Sequence, residues 1–198
     1  MFKWLSLFLA AFALMMVVGC SKAPEAEKQA GEAALQAAQQ AEADQYASST
    51  YQMALDTLNA AKAAMEEQNS KFALFRKYGK VTEMFIAGKQ LSDQAVTEAQ
   101  AEKERVRLEV TNLMTQADAL LAQAQTALDK APRGKGSKAD IEMLKNDLAS
   151  IRTAYTEAGT DFQAGKYLAA KAKIEMVMTK AQDFIRYIEE AKTKAGGR

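Results

Sequence analysis

Few side chains in this sequence have the chemistry of a reaction centre. Histidine is absent from the 198 residues and cysteine occurs once, as Cys20. That removes the commonest general base and the commonest metal ligand. A nucleophile needs a base within reach, so carboxylates and lysines would have to carry any catalysis. The acids lie at ordinary surface spacings, as in the charged stretch AEKERVRLEV with Glu102, Glu104, Arg105 and Arg107. It alternates in sign, as a solvated, ion-paired helix face does. Gly134-Lys135-Gly136 is too short for a phosphate-cradling loop and follows no strand. Zinc and transition metals favour imidazole or thiolate, and calcium needs clustered acids with glycine in a loop. No metal, other cofactor or catalytic residue is expected, and the chain reads as a non-enzyme.

Two segments have the chemistry of binding instead. KFALFRKYGKVTEMF combines Phe72, Phe75, Tyr78 and Phe85 with Lys71, Arg76, Lys77 and Lys80. Such a mixture suits an anionic membrane surface or a glycan. It equally suits a hairpin corner, with aromatics filling the junction and lysines in water. Exposure of Phe72 and Phe75 would favour the interaction surface. Lys130, Arg133, Lys135 and Lys138 fall in a Gly- and Pro-bearing loop, which either meets an anionic partner or serves solubility. Met176 and Met178 pad a core or line an adaptable groove. With 26 basic and 25 acidic residues, the basic footprint of a nucleic-acid binder is missing.

Cys20 has its own context. Lys3 gives a short positive start, and Trp4 to Val18 is apolar apart from Ser6. That run is shorter than the about 20 residues a spanning helix needs, and Gly19 supplies the small residue of a cleavage site. The alternative is an uncleaved signal anchor with a buried cysteine. Val17-Val18-Gly19-Cys20 resembles the lipobox of bacterial lipoproteins. The resemblance implies cleavage between Gly19 and Cys20, acylation of the thiol by a palmitate-type chain, and acylation of the new amino terminus. Ser21 then implies sorting to the outer membrane, with the chain facing the periplasm. One acyl chain holds a protein only marginally, while two or more hold it stably.

The elements that must position these residues are helices. Alanine makes up about a fifth of the chain and proline occurs only at 24 and 132, a balance that favours long helices. Helix one is expected from Pro24 to about Gln68, with a thin seam of Ala26, Ala30, Ala33, Ala37 and Ala41, then Tyr51, Leu55, Leu58, Ala61 and Met65. Asn69-Ser70 breaks it. Helix two is expected from Lys71 to about Ala127 along Leu74, Tyr78, Val81, Phe85, Gly88, Leu91 or Ser92, Ala95 and Ala99, weakened at Gly79 and Gly88. Its seam continues through Glu102, Val106, Val110, Leu113, Ala117, Leu120 and Ala124. Two successive steps of four, 102 to 106 to 110, form a stutter. After the loop, Ser137 and Asp140 resemble a capping box. Helix three follows Ile141, Leu144, Leu148, Ile151, Tyr155 and Ala158, to end at Gly159. Thr160 to Gln163 is a second box, opening helix four along Tyr167, Ala170, Ile174, Val177, Ala181, Phe184, Ile188 and Ala191 to Gly196-Gly197.

No stretch alternates at period two, so the fold is all-α. Short breaks make antiparallel neighbours. The expected architecture is an elongated antiparallel helical bundle or coiled coil of about four helices, two hairpins sharing one long helix. A shift of 90 residues superimposes Leu58 on Leu148, Met65 on Tyr155 and Phe72 on Phe162, a faint internal repeat. Residues 1–19 form the signal peptide, 20–35 the lipidated start and a loosely packed tether, and 36–130 the first hairpin. Residues 131–138 are the loop, and 139–195 the second hairpin.

YQMALDTLNAAKAAM and FQAGKYLAAKAKIEMVMTKA resemble the α-helical lipoproteins of Gram-negative envelopes that share a tetratricopeptide-like pattern. Gly165, Tyr167 and Ala170 match its Gly-x-Tyr-x-x-Ala core, and Tyr51 with Ala54 its Tyr-x-x-Ala part. A full 34-residue repeat is not met. The resemblance implies a structural, spacer or adaptor role with an envelope protein partner; helix two's long seam could equally pair between chains as a homo-oligomer, and the charge balance leaves no nucleic acid as partner. The resemblance carries over no catalytic residue. The terminal lysine by which one small envelope lipoprotein bonds to peptidoglycan has no counterpart in Gly196-Gly197-Arg198. The alternative is a binding module that holds a hydrophobic ligand, a glycan or an unfolded client between the hairpins.

Overall fold

The computed structural model describes residues 22–132 and 138–196. Gly19, Cys20, Arg133, Lys135, the Ser137 cap and Gly197 lie outside them. The described chain is all-helical, with no strand among the described residues. Its elements are α1 (Glu25–Gln40), α2 (Ala43–Tyr46), α3 (Ser48–Ser70), α4 (Gly79–Asp129), α5 (Lys138–Gln163) and α6 (Tyr167–Gly196). A 3-10 turn, Ala73–Phe75, lies between α3 and α4. The chain divides into two compact units, the first ending at Glu102 and the second beginning at Lys103. That division falls within the α4 stutter.

In the first unit the expected single helix from Pro24 to Gln68 is broken. Glu42 adopts the left-handed conformation, with φ 59°, and α1 and α3 become antiparallel neighbours. Lys62 of α3 pairs with Glu32 of α1 at 2.9 Å. A left-handed residue other than glycine costs about 1–2 kcal/mol. Burial of Ala38, Ala43 and Tyr46 around the break offsets it. The fold-back also selects a different face of α1. Gly31, Ala34 and Ala38 are buried, while Ala26, Ala33 and Ala37 of the expected seam are exposed. Residues 25–35, expected as part of a tether, are therefore packed helix.

Glycine explains how so thin a helix packs. Leu58 of α3 is 1% exposed. A Cβ built on Gly31 of α1 would lie 2.7 Å from its Cδ2, and one on Gly88 of α4 only 2.5 Å from the same atom. The two glycines let α1 and α4 approach one leucine closely. Around it lie Ala61, Met65, Tyr78, Val81 and Phe85, with Leu35 and Ala23 against them. Thr50 and Glu98 tie α3 to α4 through a 2.5 Å hydrogen bond donated by the threonine hydroxyl. Helix α4 begins at Gly79, eight residues later than expected, and runs through Gly88 unbroken.

The second unit buries most of the α5 and α6 seams read from the sequence, while in α4 the buried leucines are Leu121 and Leu128 and the expected Leu113 and Leu120 are half-buried. Leu144, Leu148 and Ile151 of α5 meet Ile174, Val177, Phe184 and Ile188 of α6, with Leu121 and Leu128 of α4. The turn between α5 and α6 does not fall at Gly159. Helix α5 continues to Gln163, and the Thr160 hydroxyl donates back to the Thr156 carbonyl at 3.1 Å instead of capping a new helix. The stop is Gly165, with φ +75°. The Lys166 N–H donates to the Asp161 carbonyl and the Gly165 N–H to the Phe162 carbonyl, the paired bonds of a Schellman turn. Lys173 of α6 then reaches Asp161 at 2.7 Å.

Candidate functional site

The basic-aromatic stretch forms the connector between α3 and α4. Its backbone leaves the helical region at Lys71, with ψ 153°, and again at Arg76, with ψ 131°. Apolar residues at 72, 74 and 75 fit no single helical stripe. The one that packs is Tyr78, 3% exposed, whose hydroxyl donates to the Asn69 side-chain oxygen.

Arg76, expected on the interaction surface, has a different task in the structure. Its Nε donates to the Lys71 carbonyl at 2.9 Å and its Nη2 to the Asn69 carbonyl at 2.8 Å. Carbonyls at a helix C-terminus have no partner within the helix, and a guanidinium satisfies them with several donors at once. The Lys77 N–H donates to Gln68 Oε1 at 3.0 Å. These bonds fix the connector's path.

Phe72, Leu74 and Phe75 point away from that frame, each 70% exposed. The two rings lie 6.3 Å apart, tilted by 50°. The hairpin-corner alternative, in which aromatics fill the junction, fails for this pair. Leu74, placed in the buried seam by the sequence, joins them outside. Lys71 pairs with Glu67 at 2.8 Å, and the hydrogen bond from its ammonium holds the Glu67 carboxyl below its ordinary range. Lys77 and Lys80 are exposed.

The other charged clusters behave as surface. Arg107 grips Glu104 through two 2.7 Å bonds and lowers its pKa. Lys171 of α6 reaches Glu109 of α4 at 2.6 Å, and that bond is the main cause of the lowered Glu109 pKa. Tyr155 is pushed up to about 12, first by burial and then by its hydrogen bond to Asp118. A tyrosine held protonated against a carboxylate fastens α5 to α4 and offers no nucleophile at neutral pH. Among the described residues, no three acids or other ligating groups are gathered as for a metal ion, and no helix is long and apolar enough to cross a membrane.

A groove of about 700 Å³ runs between α5 and α6. Met143, Leu144, Ile151, Phe184 and Tyr187 line it along with Asp147, Lys180 and Arg186. Met143 and Tyr187 are exposed, so the groove opens to solvent. The sequence did not single it out, because both residues lie beside the buried stripes and not in them. The chain matches no protein-family model, and no curated protein or solved structure matches it.

Proposed function

We propose that the chain is a lipoprotein of the outer membrane, fastened through acylated Cys20 and facing the periplasm. Its helices act as a structural, spacer or adaptor surface for an envelope protein partner or a second copy. The order of segments carries this reading. Lys3, the apolar run and Gly19-Cys20 lead within three residues to folded chain, since Ala23 already packs against the first core. An acyl anchor makes a spanning helix unnecessary, and two or more chains hold stably. Two hairpins sharing α4 remain part of the proposal, with α1 laid against the first. The tetratricopeptide-like likeness draws support from Gly165, which closes α5, and from Tyr167, whose ring lies 5.3 Å from that of Phe162. Ala170 is fully buried.

The test is Cys20→Ser in the producing cell. Acyl labelling should disappear and the leader should remain attached. A processed, membrane-bound variant refutes the anchor. Cross-linking in intact envelopes then identifies the partner.

The groove between α5 and α6 supports a second reading, a binding module for an elongated apolar ligand with polar ends. Its volume lies within the range of small-molecule sites, and it carries both apolar walls and cations.

A further inference from the structure

Resting on the lipid-anchor reading, we infer that the connector 71–80 is a second membrane contact. Phe72, Leu74 and Phe75 dip into the anionic headgroup layer of the bilayer that holds Cys20.

Three observations converge on this occupant. First, the exposed apolar residues fall together on a loop whose ends are fixed. The Arg76 clamp, the Lys77–Gln68 bond and the Tyr78–Asn69 bond fix the loop, yet Phe72, Leu74 and Phe75 each stay 70% exposed. A cluster of this kind marks an interaction site, and aromatic and leucine side chains with lysines around them suit a lipid interface.

Second, the charge is complementary to anionic lipid. Residues 71–80 carry Lys71, Arg76, Lys77 and Lys80 and no acid. Glu67 neutralises Lys71, and Arg76 is spent on the frame. Among the described residues Lys77 and Lys80 have no ion-pair partner. Each lysine near an anionic surface strengthens attachment until salt screens it.

Third, the chain brings the anchor to the same end of the first unit. Ala23 packs against the cluster that contains Met65 and Tyr78. Glu25 and Lys28 share a small recess with Met65 and Asn69, the residue that accepts from both Tyr78 and Arg76. Cys20 precedes Ala23 by three residues, a reach of at most about 11 Å. The polar layer on each side of the hydrocarbon core is itself about 5–8 Å thick. An acylated Cys20 therefore holds this end of the unit at the headgroups.

The sequence provides a clean probe. Its one tryptophan is Trp4, which leader removal discards, so an introduced indole is the sole reporter in the processed chain. The acylated product of Phe75→Trp is reconstituted into vesicles of phosphatidylethanolamine and phosphatidylglycerol, some containing brominated acyl chains. Met53→Trp, at an exposed position towards the other end of α3, is the control. The Phe75→Trp emission should shift to the blue, and bromolipid should quench it several-fold more than the control. Lys77→Glu with Lys80→Glu should weaken that quenching on phosphatidylglycerol vesicles and leave it unchanged on purely zwitterionic ones.

Equal, water-like emission from both indoles, in protein that floats with the vesicles and carries acyl mass, overturns the docking and leaves the anchor standing. Burial of the indole only on adding peptidoglycan fragments, or only on self-association, likewise overturns it in favour of a glycan or a second copy. A product without acyl chains overturns the anchor, and the docking with it. Circular dichroism equal to that of the unaltered chain shows that both variants fold.

Discussion

Gly88→Ala and Gly159→Ala make the same chemical change in the middle of a helix, and the structure gives them opposite signs. Replacing an interior helical glycine by alanine gains about 1 kcal/mol of backbone free energy. At Gly159 nothing opposes the gain. The new Cβ would lie 3.7 Å from Met114 Cε, an ordinary contact. Stabilisation by about 0.5–1 kcal/mol is expected. At Gly88 the new methyl would sit 2.5 Å from Leu58 Cδ2, 2.6 Å from Cγ and 3.5 Å from the backbone nitrogen. Leu58 cannot simply swing aside, because its other face meets Gly31. Overpacking of this sort costs about 1–3 kcal/mol, which outweighs the helical gain and leaves a net loss of about 1 kcal/mol. Gly31→Ala should fall between the two, since only the tip of Leu58 obstructs it. Urea unfolding followed by circular dichroism gives the overall shift, of roughly half a molar in each direction for a slope of about 2 kcal/mol per molar. Hydrogen exchange read by mass spectrometry assigns the shift, because Gly88 lies in the first unit and Gly159 in the second. The decisive check is Leu58→Ala with Gly88→Ala. Leu58→Ala alone opens a cavity and costs about 2–5 kcal/mol, and the alanine at 88 should then be tolerated or stabilising. If Gly88→Ala stabilises by itself, or if the two changes simply add, the close approach of α3 and α4 at Leu58 is wrong.

Two further outcomes follow from the second unit. The Tyr155 pKa is raised to about 12 from its ordinary 10, so the stability this group contributes is complete below about pH 10 and lost as pH rises towards 12. Alkaline unfolding of the unaltered chain should therefore steepen in that window and flatten in Tyr155→Phe; identical profiles would remove the burial-raised Tyr155 from the account. If the α5–α6 groove binds an apolar ligand, a lipophilic fluorophore should brighten on the protein and be displaced in Tyr187→Glu, whose charge would stand in the groove mouth; equal brightness in both would end the binding-module reading.

How much of this was legible depended on side-chain size. In the second unit the seam is written in Leu, Ile, Val and Phe, and the residues picked at steps of three and four, such as Leu148, Ile174 and Ile188, are the ones buried. In α1 the seam is written in Ala and Gly. Alanine occurs on every face there, so periodicity chose Ala33 and Ala37 where the structure buries Ala34 and Ala38. The turns follow the same logic. Glycine is a poor helix former, so Gly159 reads as a stop, but α5 has a better one six residues on, where Gly165 takes a positive φ. At Glu42 no local signal marks the turn at all. The residue that adopts the left-handed conformation is neither glycine nor asparagine, and only the packing of α1 on α3 makes it worthwhile.

The same packing bears on the candidate site. Had helix one run straight from Pro24 to Gln68, its start would lie some 45 residues from the connector, about 65 Å along the axis at 1.5 Å per residue. An anchored Cys20 would then hold one end of the hairpin and the Phe72–Phe75 loop would stand at the other, far from any lipid. Because the chain reverses at Glu42, α1 runs back along α3, and Glu25 comes to the same recess as Asn69. The breaks at Glu42 and Ala47 thus bring the aromatic loop to the end of the first unit at which Ala23 lies. A substitution that straightens the break should separate the two, and with them the quenching of an indole at 75 from the acylation of Cys20.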